Sequence, residues 1–270
     1  MVDAALYHAR PAMAMIAPQY PIGYNVCRHA ERGDEILTGT FGFTADEVEA
    51  VRLSLRVAFW AMLTSLPFGL LAAMLLARGR FWGKGLVDGV VHLPLVMPPV
   101  VTGYLLLLLF GRQGPLGRFF AHTFGLVFAF RWTGAALASA IMGFPLLVRA
   151  IRLSLDAVDR RIEEAAQTLG APRLFVFLLI TLPLIVPGIA AGMVLSFARS
   201  LGEFGATITF VSNIPGETQT LPLAIYALTQ VPGGDPAALR LTLVAVLLAM
   251  LALLASEVLA RRLGRRISGD

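Results

Sequence analysis

Charge is scarce in this chain: of 270 residues, 14% are Asp, Glu, Lys or Arg and 57% are hydrophobic, and the mean hydropathy is +0.75. A soluble domain carries about 25% charged residues, so the shortage excludes an ordinary soluble enzyme. The apolar excess is too long for one domain's core, which points to a polytopic membrane protein. Lysine is scarcer still, with Lys84 alone. A phosphate-binding loop needs Gly, four residues, then Gly-Lys and a hydroxyl residue. Gly79-Arg80-Phe81-Trp82-Gly83-Lys84-Gly85 has the wrong spacing and no hydroxyl after the lysine. This chain therefore does not hydrolyse ATP by that chemistry, and it is expected to bind no cofactor of its own. Cysteine is reduced to Cys27, which excludes an internal disulfide framework and a cysteine metal cluster. Cys27 also lacks the small apolar residues that precede a lipidated cysteine. The net charge of +5 would suit nucleic acid if read alone, but the positions of the basic residues follow membrane topology instead.

What the chain has is long apolar runs. A helical span needs roughly 20 such residues. Val57–Ala77 and Leu174–Ala198 are free of charge, and Gly89–Phe110 carries only His92. Trp132–Val148 is shorter, and Leu241–Ala260 has Glu257 near its end. The reading is an all-α integral membrane protein of about five spans. Phe204–Val211 is apolar but too short to cross, which suits a re-entrant or interfacial piece packed against protein.

Cytoplasmic loops are enriched in Lys and Arg. One set of loops holds Arg78, Arg80, Lys84, Arg149, Arg152, Arg160, Arg161, Arg173, Arg261, Arg262, Arg265 and Arg266; the other holds Arg112, Arg118, Arg131 and Arg240. The first set, with the 149–173 loop and the C-terminus, is expected in the cytoplasm, and five spans then place the N-terminus outside. Residues 1–45 are expected to form a poorly ordered periplasmic tail. Its apolar run, Pro11–Pro18, is too short and proline-bounded for a signal peptide. Its acids outnumber its arginines, and a short tail of that charge can cross.

The 149–173 loop is the longest basic one. Val158, Ile162, Ala165, Ala166 and Leu169 recur at helical spacing, which predicts a short amphipathic helix. Asp159 is placed to cap it, Glu163 and Glu164 suit the positive end of its dipole, and Gly170 with Pro172 ends it. Such a helix can fill a groove on another protein or lie on lipid, and composition does not choose between these.

A longer pattern spans this loop: Glu164-Ala165-Ala166, three residues, Gly170, nine residues, then Ile180-Thr181-Leu182-Pro183. It resembles the signature of permease subunits of bacterial ABC importers. His92–Pro99, Phe144–Arg152 and above all Phe197–Glu217 are similar to one branch, the molybdate ABC transporter permeases, with the resemblance running from about residue 46 to about 265. It implies a type I importer transmembrane domain working as a homodimer in the bacterial inner membrane. ATP and Mg would sit on a pair of cytoplasmic ATPase subunits, and a periplasmic binding protein would deliver the oxoanion. Glu163, Glu164, Ala165, Ala166, Leu169 and Gly170 would form the coupling helix seated in the ATPase. Some relatives have a sixth, N-terminal span, for which this tail is not apolar enough. Sulfate, thiosulfate and tungstate are alternative cargoes.

Several residues invite a role in the path. Pro94, Pro98 and Pro99 would kink their span, and Thr102, Ser196 and Ser200 could line a route, though such hydroxyls often bond their own backbone. Arg199 and Glu203 are spaced i,i+4 and can pair, either as a structural tie at a helix end or as part of a gate that favours anions. His92 has no companion ligands for a metal, since His8, His29 and His122 fall in the tail or a loop, so a packing or helix-bonding role is expected. An intramembrane serine hydrolase using Ser139 or Ser196 with His92 lacks a nucleophile motif. A proton-coupled transporter would want more mid-span acids than Asp88 and Glu203. Small residues, Gly134, Ala138 and Gly143 on one span and Gly188, Ala191 and Gly192 on another, are expected to let helices pack closely.

Overall fold

The computed structural model describes residues 42–79 and 81–268; the tail before residue 42 lies outside them. All regular structure among the described residues is helical. Four helices are long and apolar enough to span a membrane. They are α1 (Ala45–Arg78), α5 (Trp132–Ala157), α7 (Arg173–Leu201) and α10 (Asp235–Ser268). Between α1 and α5 come α2 (Lys84–Val96), α3 (Pro99–Phe110) and α4 (Pro115–Phe124). The short α6 (Arg160–Thr168) joins α5 to α7, and α8 (Gly205–Val211) and α9 (Leu221–Thr229) lie between α7 and α10.

Glycines set the register of the central pair. A Cβ added at Gly143 of α5 would come within 2.6 Å of Ser196 Oγ on α7, and one at Gly192 would meet Ala150 and Leu147 at 3.1 Å. Gly188 lies against Ser154, and Ser200 Oγ donates to the Ser139 carbonyl at 3.3 Å. Residue numbers rise on one helix as they fall on the other, so α5 and α7 are antiparallel, with backbones drawn close by missing side chains. Helix α1 runs parallel to α5. Its early residues Leu53 and Val57 pack with Ala135, Ala138 and Met142, while Ala73, Leu76 and Ala77 pack with Leu147, Val148, Ile151 and Leu155. The start of α10 stands beside the start of α1, where Arg240 Nη2 donates to Glu47 Oε1 at 2.8 Å.

Since α1 and α5 run the same way, the chain between them must return across the bundle. It does so as a broken element: α2 and α3 are bent by 114°. The run Gly89–Phe110 is thus two helices, not one kinked span. Met97 is extended, at φ −72° and ψ 145°, as the residue before a proline prefers, and Pro98 follows at ψ 132°. Pro99 then opens α3, where its missing N–H is harmless. Pro94, inside α2, does not end the helix. Phe204–Val211 becomes α8, whose Ala206, Thr207, Phe210 and Val211 are buried, as suits a short apolar piece shielded by protein. It packs on α3 at Gly103, where an added Cβ would lie 2.9 Å from Ala206 Cα. Helices α4 and α9 were not expected from hydropathy; both are short and both begin with proline in the first turn.

Candidate functional site

The structure places the sequence-derived residues in two groups at opposite ends of the bundle. The first group surrounds α6. The loop expected over 149–173 is shorter, because α5 continues to Ala157 and α7 begins at Arg173. The Asp159 carboxylate accepts the Arg161 N–H at 2.9 Å and caps α6. Gly170 leaves the helix at φ +88°, a left-handed conformation that favours glycine. No residue of α6 is buried. Glu164 and Ala165 are exposed, and Leu169 is 88% exposed.

Glu163 behaves differently from Glu164. Its carboxylate turns inward, with the side chain 17% exposed. Oε1 accepts from Arg78 Nη2, at the end of α1, and from Thr181 Oγ1 on α7, each at 2.8 Å. Thr181 closes a π-helical turn, Phe177–Thr181, set into α7. One carboxylate oxygen thereby joins three elements. Periodicity and dipole placement did not distinguish the two glutamates.

The second group stands around the α2–α3 break. Glu203 is buried, and its Oε2 lies 2.7 Å from Arg199 Nη1 while Oε1 accepts the Ala206 N–H at 2.9 Å. It ties the end of α7 to the first turn of α8. Pro99 touches this group, since a Cβ on Gly205 would come within 2.8 Å of the proline ring. Thr102 is buried on α3, and its hydroxyl has no hydrogen-bond partner; Pro98 is exposed at the bend. Ser196 and Ser200 are buried on α7 facing α5, so they belong to the helix seam rather than to the break.

A third cluster was not anticipated. Asp88 on α2 accepts from Arg152 Nη1 of α5 at 2.8 Å, and Asp156 lies 3.8 Å from Arg152 Nε. These residues, with His92 and Arg149, line a cleft of about 370 Å³. His92 Nδ1 is 2.9 Å from the Asp88 carbonyl, a bond within its own helix. Arg149 and Arg152, expected in a loop, thus stand on the last turns of a span. Asp88 and Glu203, the two acids considered for proton transfer, are each paired with an arginine.

An all-helical bundle of apolar spans, with a short polar helix exposed between two of them, defines a multi-pass membrane protein. The chain belongs to the family described as binding-protein-dependent transport system inner membrane component, whose model matches residues 65–269. It is thus a multi-pass inner-membrane protein. The molybdenum transport system permease protein ModB of Escherichia coli (strain K12) is 61% identical over 218 residues, 81% of this chain and 95% of that protein. The sulfate transport system permease protein CysT of Salmonella typhimurium is 39% identical over 222 residues, 82% of this chain and 79% of that one. Among solved structures, a bacterial ABC transporter involved in the import of the acidic polysaccharide alginate has a TM-score of 0.64 at 19% identity, covering 96% of this chain and 95% of that chain. The fold is that of a type I ABC importer permease.

Proposed function

We propose that this chain is the permease of a molybdate importer, working as a homodimer with two cytoplasmic ATPase subunits and a periplasmic molybdate-binding protein. The permease itself is not an enzyme; ATP and Mg belong to the partner ATPases. The observation that carries the reading is α6: a capped helix with no buried residue, presenting Glu164, Ala165 and Leu169 between two span ends, in a chain 61% identical to a molybdenum permease. The basic residues of the α6 end suit the cytoplasm, which leaves the start of α1 periplasmic and the end of α10 cytoplasmic.

In this reading α6 seats in a cleft of the ATPase. Ala165 and Ala166 allow close approach, Glu164 offers a charge, and Gly170 permits the sharp exit. Closure of the ATPases on ATP moves α6, and the spans open outward to receive the dianion; hydrolysis reverses the change. The path passes the break at Pro98 and Pro99, beside Thr102, Arg199 and Glu203, with Ser196 and Ser200 behind it on the α5–α7 seam. The Glu203 carboxylate holds the end of α7 to α8 and pairs with Arg199, whose side chain stays 29% exposed and so offers an anion hydrogen-bond donors without a net positive charge. Weak binding suits a path, because a tightly held ion leaves slowly.

The test is uptake of labelled molybdate into liposomes holding the permease and its ATPase, supplied with binding protein and ATP. ATP-dependent uptake that resists excess sulfate is expected. Uptake abolished by sulfate would move the cargo to the sulfate branch that CysT represents, and no uptake by an assembled complex would overturn the molybdate reading.

A further inference from the structure

We propose that Glu163 is a positioning residue that latches α6 to two spans at once, so that displacement of the helix reaches α1 and the π turn of α7 together. The inference rests on the coupling role proposed above for α6. Apart from Glu163, the side-chain bonds of this helix stay local: Asp159 caps it, and Thr168 Oγ1 donates to the Ala165 carbonyl. Among the described residues, Glu163 makes the only side-chain hydrogen bonds from α6 to other helices, to Arg78, 85 positions earlier, and to Thr181, 18 positions later. A push on the exposed face of α6 is therefore resisted in two directions by a single oxygen.

The partner residues strengthen the case. Arg78 is the last residue of α1 and its side chain is 24% exposed, so the ion pair is only partly screened by solvent. Thr181 is 3% exposed and ends the π turn, where the Leu182 N–H reaches back to the Phe177 carbonyl. A π turn holds one residue more than the surrounding α-helix, and such turns are frequent at functional sites. The extra residue is slack that a pull on Thr181 can redistribute along α7. The spacing from Glu164-Ala165-Ala166 to Leu182-Pro183 brings Glu163, one residue before its start, into contact with Thr181, one residue before Leu182.

The experiment compares the whole permease–ATPase complex carrying Glu163→Ala with the unaltered complex, in liposomes with binding protein, using labelled molybdate and, separately, labelled sulfate. Three quantities are read: ATPase subunit retained on the permease, ATP hydrolysed, and solute moved per ATP. Retention and hydrolysis should persist while solute per ATP falls at least about tenfold, since the variant loses two charge-assisted hydrogen bonds and one alone is worth about that factor. The exchange Arg78→Glu with Glu163→Arg should recover most of the loss, which a purely local packing defect would not. An unchanged ratio overturns the latch. Loss of the ATPase subunit from Glu163→Ala also overturns it, because Glu163 would then act on the partner directly. Should that variant fail to fold, Thr181→Val, which keeps the volume and removes the donor, must lower the ratio or the latch is wrong. An unaltered complex that neither retains the ATPase nor moves either solute removes the coupling role of α6 itself, and is recognised before any variant is compared.

Discussion

Two carboxylates at opposite ends of the bundle make the same bonds to different purpose. Glu203 and Glu163 each take an arginine and one other donor. Glu203 draws both from its own neighbourhood, Arg199 four residues back and the Ala206 N–H three residues on, so it shapes a turn and holds α8 to the end of α7. Glu163 draws its donors from α1 and α7, so it ties elements that could otherwise move apart. A carboxylate bonded locally makes a rigid corner; one bonded at long range makes a joint whose loading is felt elsewhere. The corner stands beside the α2–α3 break, and the joint stands at the exposed helix α6.

The framework separating the two ends can be broken first. Gly188→Val drives a branched side chain into Ser154 across the α5–α7 seam, and overpacking of that kind costs about 3 kcal/mol; a large fall in the melting temperature of the detergent-solubilised complex should accompany loss of uptake. Glu203→Ala removes the corner and leaves Arg199, itself 29% exposed, without its carboxylate. The expected destabilisation is about 2 kcal/mol, below the full figure for a wholly buried pair. Thermal unfolding should detect it, while retention of the ATPase subunit stays unchanged. Gly170→Val forces a branched residue to φ +88° at a cost of about 1 kcal/mol, and by misdirecting the exit of α6 should lower solute moved per ATP while hydrolysis continues. The smallest effect is expected from Arg56→Leu, which removes a guanidinium 3.9 Å from the centre of the Trp132 ring, worth about 0.5 kcal/mol; a melting curve and an uptake assay both close to those of the unaltered complex would confine the large effects to the corner and the joint.

The difference between corner and joint also marks what the sequence could disclose. Arg199 with Glu203, Asp159 as a cap, Gly170 as a helix exit and the small residues Gly143, Gly188 and Gly192 follow from spacing within one helix or turn. Four of the five apolar runs became single long helices by the same logic. Glu163 with Arg78, Asp88 with Arg152, and the Leu221 N–H donated to Ser54 Oγ across 167 positions depend on which helices become neighbours, and hydropathy carries no such information. The prolines after Met97 announced a kink, but not its 114° size nor the packing of α3 on α8 through Gly103 and Ala206. The broken element therefore emerged only in three dimensions, as did the inward turn of one glutamate in an adjacent pair.

The break has an electrical consequence. Helix α2 has 13 residues and rises about 20 Å, against a hydrocarbon core of about 30 Å. Along that line the low-dielectric barrier is not completed by continuous helix but by the bend and the short helix laid over it. In the importer proposed above, a divalent anion moved past this break into a cell that is negative inside works against about 2.3 kcal/mol per elementary charge for each 100 mV.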